Sequence, residues 1–162
     1  MTLDKKIEVA PATEGFTLRG YRAGDWEAMH ALDVVCFEPP FRFSSKTMRI
    51  FSEAQGAVPI LAEVAGELVG FCVVQMEEHV GYLVTLDVAE AWRRRGLARR
   101  LMADAEAKVR AAGGSAVTLH VFPGNEGAVR FYEAIGYKRL GTVEGFYGRG
   151  VDALAYGKWL DE

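Results

Sequence analysis

The sequence predicts an α/β fold, with one mixed sheet and helices on both of its faces. Three observations lead there. Short segments such as Tyr82-Leu83-Val84-Thr85-Leu86 are rich in β-branched and aromatic residues and read as strands. Elsewhere apolar residues recur at helical spacing, as in Leu97, Leu101, Met102, Ala105 and Val109. The 162 residues, 50% hydrophobic and 25% charged, contain neither repeat nor linker, which suits one domain with one sizeable core.

The elements follow in order. Residues 1–15 are mixed and proline-containing and read as a loose arm, leaving 16–162 as the folded domain. Phe16 to Arg19 make a first strand. Asp25 is placed to cap a helix carrying Trp26, Met29, Leu32 and Asp33, which Pro39-Pro40 stops. An aromatic loop, Phe41 to Phe43, leads to a second short helix capped by Ser44 or Ser45 and reaching about Ala54. Ile60–Val64 and Leu68–Met76 form a hairpin about Ala65-Gly66-Glu67, and Gly81–Val88 is the next strand. A helix from Leu97 to Ala111 ends at Gly113-Gly114. Ser115–Val121 is a strand, and Asn125 starts a helix that Gly136 ends. Tyr137–Glu144 and about Ala153–Trp159 are the final strands.

Composition narrows the function classes. The formal charge of −3 disfavours nucleic acid as a partner. Cys36 and Cys72 lie in apolar surroundings without metal-like spacing and read as reduced core thiols. Three scattered histidines without carboxylate spacing make a poor metal site, so no metal is expected. No apolar run approaches the roughly 20 residues of a membrane span. The N-terminus does not look like a secretory signal, and a cytoplasmic address is expected by elimination.

The central feature is the run Val88-Ala89-Glu90-Ala91-Trp92-Arg93-Arg94-Arg95-Gly96-Leu97-Ala98-Arg99-Arg100. A strand enters a loop, and the loop opens a long helix whose first N–H groups face outward. Gly96 and Ala98 have almost no side chain, so a phosphate can approach the backbone, and the arginines supply further donors. The competing reading is a solvated basic helix start that touches RNA or acidic lipid.

Arg93-x-x-Gly96-x-Ala98 resembles the acetyl-CoA signature of the GCN5-related N-acetyltransferase (GNAT) superfamily, and Leu83–Val88 resembles that family's fourth strand. The resemblance implies a mostly antiparallel sheet of six or seven strands with a splay between the central ones, where acetyl-CoA wedges in. It implies that backbone groups of Leu86 and Val88 hold the pantetheine arm and that Arg93, Arg94, Arg95, Gly96, Leu97, Ala98 and Arg99 surround the pyrophosphate. The stretch Leu119 to Tyr137 is similar to the family's later motif. There Asn125 would reach the cofactor arm, and Tyr132 would lie near the sulfur as general acid.

Within that family, Leu119-His120-Val121, Tyr82 to Leu86 and the tail Gly145-Phe146-Tyr147 resemble protein N-terminal acetyltransferases. That subgroup includes the bacterial ribosomal-protein alanine acetyltransferase, which makes a ribosomal protein one candidate acceptor. His120 stands where that bacterial enzyme usually has glutamate, and it resembles the eukaryotic version with its tyrosine partner. The expected reaction is direct attack of a protein or peptide α-amine on acetyl-CoA, with His120 as general base, Tyr82 as its partner and the backbone N–H near Val88 at the oxyanion. The reference pKa of an α-amine, about 7.7–8.0, is a small mismatch for histidine near 6.5, whereas lysine near 10.4 is a large one. Tyr147 is expected in the loop between the last two strands. It faces Phe37, Glu38 and Phe41, with the rings shaping the first side-chain pocket and Glu38 attracting the ammonium. A small-amine or lysine acetyltransferase, and a non-catalytic acyl-CoA-binding module, remain as alternatives on the same fold. A monomer or weak homodimer is expected.

Overall fold

The computed structural model describes residues 15–160, so the arm expected over residues 1–15 lies outside them except for Gly15. Seven strands form one sheet in the order β1-β2-β3-β4-β5-β7-β6. They are β1 (Thr17–Gly20), β2 (Ala57–Val64), β3 (Glu67–Glu77), β4 (Val80–Val88), β5 (Ala116–Val121), β6 (Lys138–Gly148) and β7 (Val151–Trp159). The helices are α1 (Asp25–Cys36), α2 (Ser45–Glu53), α3 (Leu97–Ala111) and α4 (Glu126–Ala134). All neighbouring strands are antiparallel except β4 and β5. This is the mixed sheet that the sequence predicts, and mostly antiparallel as the family resemblance implies.

The sheet separates two apolar layers. Leu97, Leu101, Met102, Ala105 and Val109 of α3 pack on Cys72, Val74, Leu83, Val117 and Leu119, as their spacing predicts. On the other face Met29 and Met48, from α1 and α2, meet Leu61, Phe71 and Val73. Each fully buried Val, Leu, Phe or Met among them contributes about 1.5–3 kcal/mol. Gly70 in β3 admits the close approach of Leu97. A Cβ there would lie 2.9 Å from Leu97 Cδ2 and 3.1 Å from the Asp87 carbonyl oxygen.

Several boundaries differ from expectation for local reasons. Gly24, at φ 88, occupies the N-cap of α1 without a side-chain bond, in place of Asp25. The Asp25 carboxylate is taken by Arg19 at 2.7 Å and the Arg22 N–H at 2.6 Å. β2 starts at Ala57 and includes Pro59, which lies beyond the end of the β1 pairing at Ile60. β6 runs on to Gly148, which places Tyr147 at the end of a strand arm and not in a loop. Ser44 does cap α2, accepting from the Thr47 N–H at 3.1 Å.

Two irregularities in the centre of the sheet position the site. β4 and β5 pair only from Val80↔Ala116 to Leu83↔Leu119, after which they part. The β3–β4 register shifts at the same level, where Val73 faces Thr85 and Val74 faces Leu83, so Val84 is an extra residue. A bulge of this kind bends its strand and strengthens the local twist. The parting of β4 from β5 is the splay that the family resemblance implies.

Candidate active site

His120 on β5 and Tyr82 on β4 meet at the splay. The Tyr82 hydroxyl and His120 Nδ1 are 2.8 Å apart, and the ring centroids 5.5 Å. Tyr82 faces Thr118 in the register, so His120 is its diagonal neighbour on the same face of the sheet. Burial pushes the imidazole pKa down and the Tyr82 phenol up. Both effects favour neutral groups, and a neutral imidazole is a proton acceptor.

An aromatic wall adjoins the pair. Phe146 stacks on His120 with centroids 4.2 Å apart. Tyr147 meets Phe146 edge-on at 4.9 Å and Phe41 at 4.9 Å, and Phe41 lies 4.7 Å from Phe122. The loop after α1 and the end of β6 thus touch, as the sequence leads one to expect for Phe41 and Tyr147. Burial pushes the Tyr147 phenol up to about 12. Phe37 is half-buried, and its carbonyl accepts from Arg42 Nε at 2.9 Å. Glu38 is exposed. Phe122 and Phe146 lie inside stretches that carry the family resemblance, yet neither was expected in the site. Strand ends give no signal for which of two adjacent aromatics turns inward.

The cofactor candidates occupy the turn beyond β4. A single 3₁₀ turn, Glu90–Trp92, leads to Arg93, Arg94 at φ 63, and Gly96 at φ 84 as the N-cap of α3. No side chain caps this helix, and its Gly96 carbonyl first accepts from the Arg100 N–H. The N–H groups of Leu97, Ala98 and Arg99 therefore have no intrahelical acceptor. A Cβ on Gly96 would meet nothing within 4 Å, so the space over the turn is open. Arg94, Arg95 and Arg99 are exposed, with the Arg95 guanidinium 4.4 Å over the Trp92 ring. Leu97 itself is core, which leaves only its backbone for a ligand. Arg93, exposed as well, reaches back along the turn and donates from Nε to the Val88 carbonyl at 2.9 Å.

Asn125 caps α4, its Oδ1 accepting from the Ala128 N–H at 3.2 Å. Tyr132 is buried beneath the sheet beside Tyr137, with centroids 5.9 Å apart, and burial pushes its phenol far above the ordinary range. Cys72 is buried and Cys36 half-buried, both reduced, and burial raises both thiols, so neither is an activated nucleophile. Among the described residues no cluster of His, Cys, Asp or Glu could hold a metal. None of the described helices is long and apolar enough to cross a membrane.

An open helix N-terminus with exposed arginines fits a diphosphate, and the gap between β4 and β5 fits an extended arm leading from it to Tyr82 and His120. These are the parts needed to hold a coenzyme A thioester beside a base.

Comparison with known proteins agrees. The family model described as the acetyltransferase (GNAT) family matches residues 26–137, a stretch holding Tyr82, the arginine turn, His120 and Tyr132. The N-terminal acetyltransferase A complex catalytic subunit NAA10 of Arabidopsis thaliana is 29% identical over 84% of this chain and 73% of its own length. The N-alpha-acetyltransferase MAK3 of the same plant is 31% identical over 78% of this chain and 67% of its own. The ribosomal-protein-S18-alanine N-acetyltransferase of Escherichia coli superposes with a TM-score of 0.80 at 19% identity, over 91% of this chain and 95% of its own, a likeness of fold. With a matching splay, turn and sequence model, the chain belongs to the acetyltransferase (GNAT) family and uses acetyl-CoA as its donor.

Proposed function

We propose that this acetyl-CoA-dependent acetyltransferase acetylates the N-terminal α-amine of a protein or peptide, with His120 as general base. The observation that carries the reading is the 2.8 Å contact of Tyr82 with His120 Nδ1 beside the aromatic wall of Phe41, Phe146 and Tyr147. The two N-terminal acetyltransferases similar in sequence support the acceptor class. A ribosomal protein is one candidate acceptor, by the fold likeness to the bacterial enzyme.

In this mechanism His120 carries its proton on Nδ1, donated to the Tyr82 oxygen, which leaves Nε2 as the acceptor. Nε2 takes a proton from the α-ammonium, directly or through water. The neutral amine attacks the thioester carbonyl, and a backbone N–H near Val88 supports the oxyanion. Collapse of that intermediate expels the coenzyme A thiolate; the attacking nitrogen's second proton and the one held by His120 leave to solvent, which restores the proton that Tyr132 gives. Tyr132 donates to the sulfur as general acid. Its raised pKa keeps the hydroxyl protonated at every working pH, so its first contribution is a hydrogen bond that grows as charge builds on sulfur. No covalent enzyme intermediate is needed, because holding amine and thioester together supplies the advantage. Phe37, Phe41 and Tyr147 shape the pocket for the first residue, and exposed Glu38 draws in the ammonium.

Thiol release from acetyl-CoA, measured with short peptides that differ only in the first residue, tests this reading. Turnover that requires a free α-amine and depends on that residue is expected. Turnover confined to polyamines, free lysine or α-blocked lysine peptides would move the assignment to a small-amine or lysine acetyltransferase. Cofactor binding without any turnover would make it an acyl-CoA-binding module.

A further inference from the structure

Two aspartates lie where a carboxylate is costly. Asp33 projects from α1 and Asp87 from β4, and each is 0% exposed. Each has one oxygen with a donor. The Phe43 N–H donates to Asp33 Oδ2 at 2.8 Å, and the Thr85 hydroxyl donates to Asp87 Oδ1 at 2.6 Å. The remaining oxygens, Asp33 Oδ1 and Asp87 Oδ2, are buried without a donor. The two meet where α1 packs on β4: one turn after Asp33 the Cys36 thiol donates to the carbonyl of Val88, the residue after Asp87, at 3.5 Å.

Two buried carboxylates on facing elements repel, and each orphaned acceptor adds the full cost of its lost hydration. A single proton between the two orphaned oxygens removes both penalties at once. We propose that Asp33 and Asp87 share one proton and act as a clamp that positions the acceptor loop, residues 37–43, against the cofactor strand β4. Burial first, and then the neighbouring Asp33, hold the Asp87 carboxyl well above the usual carboxylate range. The guanidinium of Arg93 works in the opposite direction and offsets the one negative charge that remains. The other groups facing the pair electrostatically are Cys36 of α1, Cys72 of β3 and Tyr132 of α4.

The clamp has two arms. On one side Asp33 fixes the Phe43 N–H at the far end of the loop, while Arg42 binds the carbonyls of Phe37 and Val34 at 2.9 and 3.1 Å. On the other side Asp87 sits between Leu86 and Val88, in the part of β4 that has left β5. The pair therefore sets the distance between the Phe37 and Phe41 rings and the floor of the splay. Asp33 and Asp87 are positioning residues, since neither reaches the reacting atoms. The kinetic half of the inference rests on residues 37–43 lining the acceptor pocket.

The test compares Asp87→Asn with Asp87→Ala. The amide of Asp87→Asn donates permanently where the shared proton stood, whereas Asp87→Ala leaves Asp33 a buried carboxylate without a partner. Infrared spectra of the free enzyme are expected to show a protonated carboxylic acid at neutral pH, which disappears in Asp87→Asn. This readout needs no acceptor, so it stands or falls apart from the proposed acceptor class. In turnover, Asp87→Ala raises the acceptor KM about tenfold while the acetyl-CoA KM stays within about twofold, and Asp87→Asn restores the acceptor KM. If Asp87→Ala does not fold, Asp33→Asn is the mirror rescue and is expected to keep the wild-type acceptor KM. Absence of a protonated acid at neutral pH would overturn the shared proton. An Asn variant as impaired as the Ala variant, or both KM values rising together, would overturn the clamp.

Discussion

The Tyr82 hydroxyl lies 2.8 Å from His120 Nδ1, just where β4 and β5 stop pairing. If that contact fixes the imidazole tautomer, Tyr82→Phe removes an orienting hydrogen bond and leaves the ring packing. Its kcat should fall about tenfold, with little change in the acetyl-CoA KM. His120→Ala should cost about 10²–10⁴-fold in kcat, the range of a general base. Steady-state kinetics with a fixed peptide check both, and equal activity of His120→Ala and wild type would remove His120 from the mechanism.

Burial lowers the His120 pKa from its ordinary 6.5. The neutral, proton-accepting form therefore persists further into acid than it would on an exposed histidine. The acid limb of kcat/KM should fall through a midpoint below 6.5. The linked stability has the same sign. A depressed folded-state pKa gives stability that is present above the unfolded pKa and is lost as pH falls through the folded one. An NMR titration of the imidazole locates the midpoint directly, and a value at or above that of an unfolded peptide would contradict the assignment.

Gly96 holds φ 84 over open space, so a methyl group there meets no atom and the penalty is backbone strain alone. Gly96→Ala should destabilise the fold by about 1 kcal/mol and raise the acetyl-CoA KM more than the acceptor KM. Thermal unfolding with and without acetyl-CoA separates the two effects, because the ligand-induced shift shrinks only if the turn binds the donor.

The Phe41 and Tyr147 rings meet edge-on at 4.9 Å. Removing either by Phe41→Ala or Tyr147→Ala should raise the acceptor KM without affecting acetyl-CoA binding. The double variant should show a coupling of about 0.5–1.5 kcal/mol in kcat/KM. Strict additivity would mean that the two rings serve separate purposes.

A purely structural prediction concerns Glu106 on α3, which is 6% exposed and accepts from the Tyr137 hydroxyl at 2.8 Å and Lys158 Nζ at 3.0 Å. Glu106→Ala strands both donors and should cost about 1–3 kcal/mol in a denaturant melt. The specific activity of the folded fraction should be preserved, since this network lies outside the splay.

Much of this molecule was legible in its sequence because regular spacing is a local property. The apolar face of α3 and the Asn125 cap of α4 follow from a few consecutive residues, and the structure has both. The approach of Tyr82 to His120 followed from the family motif and not from periodicity. What escaped depends on distant partners. Asp25 is a good capping residue by type, but Arg19 and the Arg22 N–H hold its carboxylate, and Gly24 takes the cap. Asp33 and Asp87 each stand in an apolar stretch, which signals a buried polar group. Only the tertiary fold shows that both are buried with one oxygen lacking a donor.

The extra residue at Val84 has a consequence for parity. In an unbroken strand, residues an odd number apart point to opposite faces, so Tyr82 and Asp87 would be divided by the sheet. Here Val84 packs on the α1–α2 layer while Leu83, Leu86 and Val88 pack on the α3 layer. Thr85 and Asp87 return to the side of Asp33, which is also the side of His120. One inserted residue thus acts as a change of phase along β4. Before it the strand offers its phenol to the base, and after it the strand offers its carboxyl to α1 on the same face. Excising Val84 would leave every residue type in place, yet it would set the phenol and the acid on opposite sides of the sheet.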